Sequence, residues 1–180
     1  MIRNMMSNSN KGLGTTDVLP VDQSRIEVLN GTVDYKNVPL GSYDILGRFA
    51  SVGQRDYTEE LNLIQSMGFN AYRISISWAR IFPNGEELQP SEEGLKYYEA
   101  IIDDVLEKDI EPIVTLSHFD LPLNLYEKYG AWKSRKMIEL FERYAEAVFQ
   151  YFKDKVKYWI TFNEFNVLHH SWWRIVFWSR

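Results

Sequence analysis

The sequence predicts an α/β fold, a partial (β/α)8 TIM barrel. Three observations predict it. Amphipathic helices alternate with short β-rich runs from residue 56 to residue 162. Each run ends in polar residues capable of chemistry. No Gly-rich phosphate loop follows any run. Alternation of this kind implies a parallel sheet with crossover helices, which a doubly wound sheet would also satisfy. The polar strand ends and the missing dinucleotide fingerprint favour the barrel. A complete barrel needs about 250 residues, and this chain of 180 holds three clear β-strand/α-helix units.

The elements are read in order. Residues 1–55 keep no period and read as an irregular leader, with short strands near Ile26–Leu29. Asp56–Gly68 reads as a helix, because Leu61, Ile64 and Met67 recur at helical spacing and Gly68 ends it. A strand follows at Ala71–Ile76. The next helix starts after Ser91, an N-cap, with Gly94 in its first turn and a stripe of Tyr97, Ile101, Val105 and Leu106. Pro112 precedes a strand at Ile113–Ser117. A long helix covers Ser134–Lys153, with Met137, Leu140, Phe141, Tyr144, Val148, Tyr151 and Phe152 as its apolar face. Val156–Phe162 is the last strand. Residues 56–170 thus form the barrel segment, and 171–180 an atypical tail with three Trp and no turn signal.

Composition narrows the function. The net charge of −5 argues against a nucleic-acid partner, which calls for a basic face. The charges are mixed along the chain and read as solvated helix faces. No cysteine is present, so disulfides and Cys-ligated metals are excluded. Met1–Thr16 has no apolar run of the secretory kind. No stretch approaches the roughly 18 apolar residues of a membrane span. A cytoplasmic protein is expected. Aromatics at 15% suit a large core first and a sugar-stacking site second.

Barrel active sites gather at the C-terminal ends of the strands. In Tyr72-Arg-Ile-Ser-Ile-Ser-Trp78, Arg73 and Ser75 share one face, and Ile74 and Ile76 the other. An arginine there needs a carboxylate or a polar cavity, and a structural ion pair would serve equally. The second strand ends in Thr115-Leu-Ser-His-Phe-Asp120. His118 can give or accept a hydrogen bond as a sugar hydroxyl requires, though alone it reads as an ordinary loop histidine. His169 and His170 are distant, and no metal-binding spacing exists. The third strand ends in Trp159-Ile-Thr-Phe-Asn-Glu164. A carboxyl beside an amide suits glycoside hydrolysis, with Glu164 protonating the leaving oxygen and Asn163 binding a ring hydroxyl. Adjacent residues point to opposite faces of a strand, so both enter one pocket only where the strand bulges or ends.

Residues 72–85, 115–122 and 159–164 resemble the second, third and fourth barrel strands of glycoside hydrolase family 1. The match covers about residues 56–170, with a weaker one at Lys11-Gly-Leu-Gly-Thr-Thr-Asp-Val18. The resemblance implies retaining β-glycoside hydrolysis without metal or cofactor. It makes Glu164 the general acid/base, Asn163 the ligand of the sugar 2-hydroxyl, His118 a ligand near the 3-hydroxyl, and Arg73 the cation that positions the nucleophilic carboxylate. His118-Phe119, Asn163-Glu164-Phe165-Asn166, residues 127–138 and residues 11–18 are similar to bacterial 6-phospho-β-glucosidases, which act inside the cell. A β-glucoside or 6-phospho-β-glucoside disaccharide is the implied substrate.

Four departures from the family stand out. The first strand, with its sugar-binding Gln, does not precede Lys11. Val52-Gly-Gln-Arg-Asp-Tyr57 replaces a stretch where His-Arg usually precedes the Tyr. The nucleophilic Glu of the seventh strand has no counterpart. Residues 171–180 do not resemble the family. The chain is expected to be a truncated or frameshifted piece, inactive alone. An ordinary β-glucosidase fragment and a catalytically dead remnant are the alternatives.

Overall fold

The computed structural model describes residues 11–18, 57–164 and 166. Three parallel strands form one sheet, β1 (Ala71–Ser75), β2 (Glu111–Ser117) and β3 (Tyr158–Phe162), in the spatial order β1-β2-β3. Chain order and spatial order coincide, as in an arc of a closed barrel. Helix α1 (Tyr57–Ser66) leads into β1, α3 (Glu92–Glu107) crosses to β2, and α5 (Lys136–Phe152) crosses to β3. Short pieces fill the loops after the strands: α2 (Trp78–Ile81) after β1, and α4 (Leu123–Tyr129) with a 3-10 turn at Ala131–Lys133 after β2.

Local chemistry explains the boundaries. The Ser91 hydroxyl accepts from the Gly94 N–H at 3.1 Å and caps α3. Gly94 itself is required by close packing, because a Cβ there would lie 2.2 Å from the Arg80 carbonyl oxygen. Helix α5 begins two residues later than Ser134, whose hydroxyl accepts from the Lys136 N–H at 3.2 Å. Strand β2 begins at Glu111, before Pro112, and β3 begins at Tyr158 rather than Val156.

The core lies between the sheet and the helices. Ile76, Val114 and Leu116 meet Tyr98 and Ile102 of α3 and Met137, Leu140, Tyr144 and Val148 of α5. Trp78 is 1% exposed and stacks on Tyr144 with ring centroids 5.1 Å apart. The Tyr144 hydroxyl donates to the Leu116 carbonyl at 2.8 Å and approaches that of Ile76 at 3.2 Å, clipping the ends of β1 and β2 together. Burial pushes the Tyr144 phenol well above its usual range, so it stays a donor. Leu61, Val105 and Ile110 form a smaller cluster beneath α1.

Three stripe assignments need correction. Met67 is exposed and lies just past the end of α1. Leu106 is exposed, and α3 buries Leu95, Tyr98, Ile101, Ile102 and Val105 instead. Tyr151 is also exposed, and its hydroxyl donates to Glu99 at 2.8 Å. Leu106 and Tyr151 lie one residue off the inward face. Ile26–Leu29 and the tail 171–180 lie outside the described residues. None of the described helices is long and apolar enough to cross a membrane.

Candidate active site

The mouth of the sheet is built from alternation along the strands. Ile74 packs against the core, which turns Arg73 and Ser75 to the inner face. The Arg73 Nε–H donates to the Thr115 hydroxyl at 2.8 Å, and its Nη2 donates to the Asn163 Oδ1 at 2.6 Å. One guanidinium on β1 therefore reaches β2 and the end of β3. Among the described residues it meets a hydroxyl and an amide, the polar surroundings expected of an arginine on a strand, rather than an ion pair. Thr115 is fully buried. Its part was not read from the sequence, although its register opposite Ser75 and near Arg73 follows once the strands pair in parallel.

His118 follows β2 directly. Its Nδ1 lies 2.9 Å from the Ser75 hydroxyl. Its pKa is lowered, first by partial burial and then by the Arg73 charge, while the Glu164 carboxylate opposes the shift. The imidazole is neutral near neutral pH, fit to hydrogen bond rather than to act as a fixed cation. Phe119 comes next at φ 62 and sets its ring edge-on to His118, with centroids 5.1 Å apart. A left-handed backbone costs a bulky residue about 1–2 kcal/mol. The reversal carries Asp120 away toward Ser77, whose hydroxyl donates to Asp120 Oδ2 at 3.0 Å.

The end of β3 meets the condition that alternation sets. The strand stops at Phe162, and the Asn163 N–H still donates to the Ser117 carbonyl at 2.9 Å. Glu164 then adopts φ 46 in a turn. Strict alternation is broken at that point. Asn163 meets Arg73, and Glu164 comes near enough to His118 for its charge to act on the imidazole. Asn163 uses Oδ1 on Arg73, which leaves its amino group to donate elsewhere. The four residues singled out in the sequence, Arg73, His118, Asn163 and Glu164, thus gather at one mouth. Together they offer a carboxyl, an amide donor, a neutral imidazole and a fixed cation.

The sequence profile of glycosyl hydrolase family 1 matches residues 43–178, and the chain belongs to that family. It is 45% identical over 161 residues to the aryl-phospho-β-D-glucosidase BglH of Bacillus subtilis, a match that covers 89% of this chain and 32% of the relative. The 6-phospho-β-glucosidase AscB of Escherichia coli is 40% identical over 162 residues, covering 89% and 34%. β-Glucosidase 25 of Oryza sativa is 54% identical over a shorter stretch of 108 residues, 60% of this chain and 21% of the relative. The crystal structure of a rice β-glucosidase superposes with a TM-score of 0.72 at 35% identity, over 89% of this chain and 30% of that one. The three-stranded sheet is part of the (β/α)8 barrel of these enzymes. The chain spans about a third of the length of the curated relatives that match most of it.

Proposed function

We propose that this chain carries the acid/base half of a retaining β-glycosidase acting on 6-phospho-β-glucosides. The observation that carries the reading is the joining of Arg73, Asn163, His118 and Glu164 at one strand mouth. In the first step Glu164 gives its proton to the leaving glycosidic oxygen while a second carboxylate attacks the anomeric carbon. In the second step Glu164 takes a proton from water as that water releases the sugar. Retention needs the two carboxyl groups about 5–5.5 Å apart. The second belongs, on this reading, to barrel strands beyond these residues, and Arg73 is the cation that positions it. Asn163 binds the 2-hydroxyl, and His118 a neighbouring hydroxyl.

The phosphorylated substrate is supported by the pattern of relatives. The two named for phospho-glucosides align over 89% of the chain. The plant β-glucosidase is more identical, but only over 60%. That higher local identity favours a second reading, hydrolysis of plain β-glucosides. The test uses a protein of the relatives' full length that contains this chain. Its kcat/KM is compared on an aryl β-glucoside and on the 6-phosphate of the same compound. Preference for the phosphate is expected, and preference for the plain sugar would establish the second reading.

A further inference from the structure

We infer that residues 11–17 form a strap, locked by Lys11, Gly14 and Asp17, that holds the loop after β2 and so positions His118. The backbone carries the first part of the case. The Gly12 N–H donates to the Ala79 carbonyl at 2.8 Å, the Thr15 N–H to Leu121 at 2.9 Å, and the Leu123 N–H to Leu13 at 2.7 Å. The strap is therefore stitched both to α2, after β1, and to the loop after β2.

The side chains carry the second part. Lys11 and Asp17 form an ion pair with side chains only 6% and 2% exposed. The Gly14 N–H donates to the Asp17 carboxylate at 2.8 Å. Asp120 lies directly against Gly14, where a Cβ would stand 2.1 Å from its Oδ1. Burial disfavours the Lys11 charge, but the carboxylates of Asp120 and Asp17 outweigh it and raise its pKa. The Lys11–Asp17 pair thus locks the strap, and Asp120, two places beyond His118, packs against it at Gly14.

The consequence for His118 follows from the pinning of its loop. The sheet fixes Ser117 through Asn163, and the strap fixes Leu121 through Thr15. Between these points Phe119 is held at φ 62, a conformation that a free loop would relax. Release at the Leu121 end lets that residue unwind and carries His118 off Ser75.

This goes beyond the proposed reaction, and its test needs no turnover. Amide exchange and the titration of the His118 ring are followed by NMR in the 180-residue chain. The variants are Lys11→Met, Gly14→Ala and Lys11→Arg. In the first two, the Thr15 and Leu123 amides should exchange about tenfold faster or more, while sheet amides such as that of Ile76 stay protected. The His118 midpoint should rise toward the ordinary imidazole range. Lys11→Arg should leave all three unchanged. The groups that face His118 are Ser75 and Arg73 from β1 and Glu164 after β3, none of them on the strap. Gly14→Ala alters no charge, so a shift in that variant reports movement alone. An unmoved His118 midpoint in Gly14→Ala, with the strap amides open, would overturn the inference. So would strap amides that stay protected in both variants. Loss of sheet protection in both would also overturn it, by making these residues part of the global core rather than a local strap.

Discussion

The two faces of one sheet obey opposite rules within single residues of each other. On the helix side Ile76, Val114 and Leu116 are at most 2% exposed and touch the apolar faces of α3 and α5. On the other side Arg73, Ser75, Thr115 and His118 are joined by hydrogen bonds. The first face gains stability by removing carbon from water, a term that grows with area and tolerates reshuffling. The second depends on direction, because each donor must find its acceptor at the right angle. One face makes the fold, and the other is polar and hydrogen-bonded at the cost of some burial.

The comparison breaks most readily on the helix side. Trp78→Ala removes a fully buried ring that stacks on Tyr144 and meets Phe141 edge-on at 5.6 Å. It should lower stability by about 3–5 kcal/mol, read from urea unfolding. A loss below about 1 kcal/mol would show that the ring does not fill the core as described.

Tyr144→Phe keeps the ring and removes only the clip between β1 and β2. It leaves buried carbonyls at Ile76 and Leu116 short of a donor. The expected loss is about 1–3 kcal/mol. A neutral result would mean that the strand ends are held by the sheet alone.

The smallest effect belongs to the polar face. His118 has a folded pKa below its unfolded value, so the unfolded chain binds its proton first as pH falls. Its contribution to stability is present above the ordinary imidazole range. That contribution is lost as pH drops through the range toward the depressed folded value. Comparing unfolding curves of the chain and His118→Asn between about pH 7.5 and 5 should show a shallower decline in the variant. Parallel declines would mean that the ring titrates freely.

What the sequence revealed follows the same division. Apolar spacing located α1, α3, α5 and all three strands, because burial leaves a periodic record. It placed Leu106 and Tyr151 inward by one step, since a stripe about 100° wide leaves its margin undecided, and it carried the α1 stripe on to Met67, which lies past the helix end and is exposed. Helix α2 has four residues, too few for a period to register, and α4 begins immediately after Pro122. The polar mouth was legible at Arg73, His118, Asn163 and Glu164 through the resemblance of their strands to the family, while by residue type alone His118 read as a loop histidine and Arg73 equally as half of an ion pair. The geometry of the mouth was not legible. That Asn163 and Glu164 serve one mouth depends on φ 46 at Glu164, and the approach of Asp120 to Gly14 joins residues 106 positions apart. Neither leaves a periodic trace.

The most direct measurement concerns Glu164, again in a protein of the relatives' full length that contains this chain. Glu164→Gln keeps the shape and removes the proton. On a natural disaccharide with a poor leaving group, kcat/KM should fall by about 10²–10⁴-fold. On an aryl glycoside with a good leaving group the first step needs little protonation, so the loss there should be clearly smaller. Equal losses on both substrates would contradict the acid/base role and, with it, the reading of this strand mouth as the catalytic one.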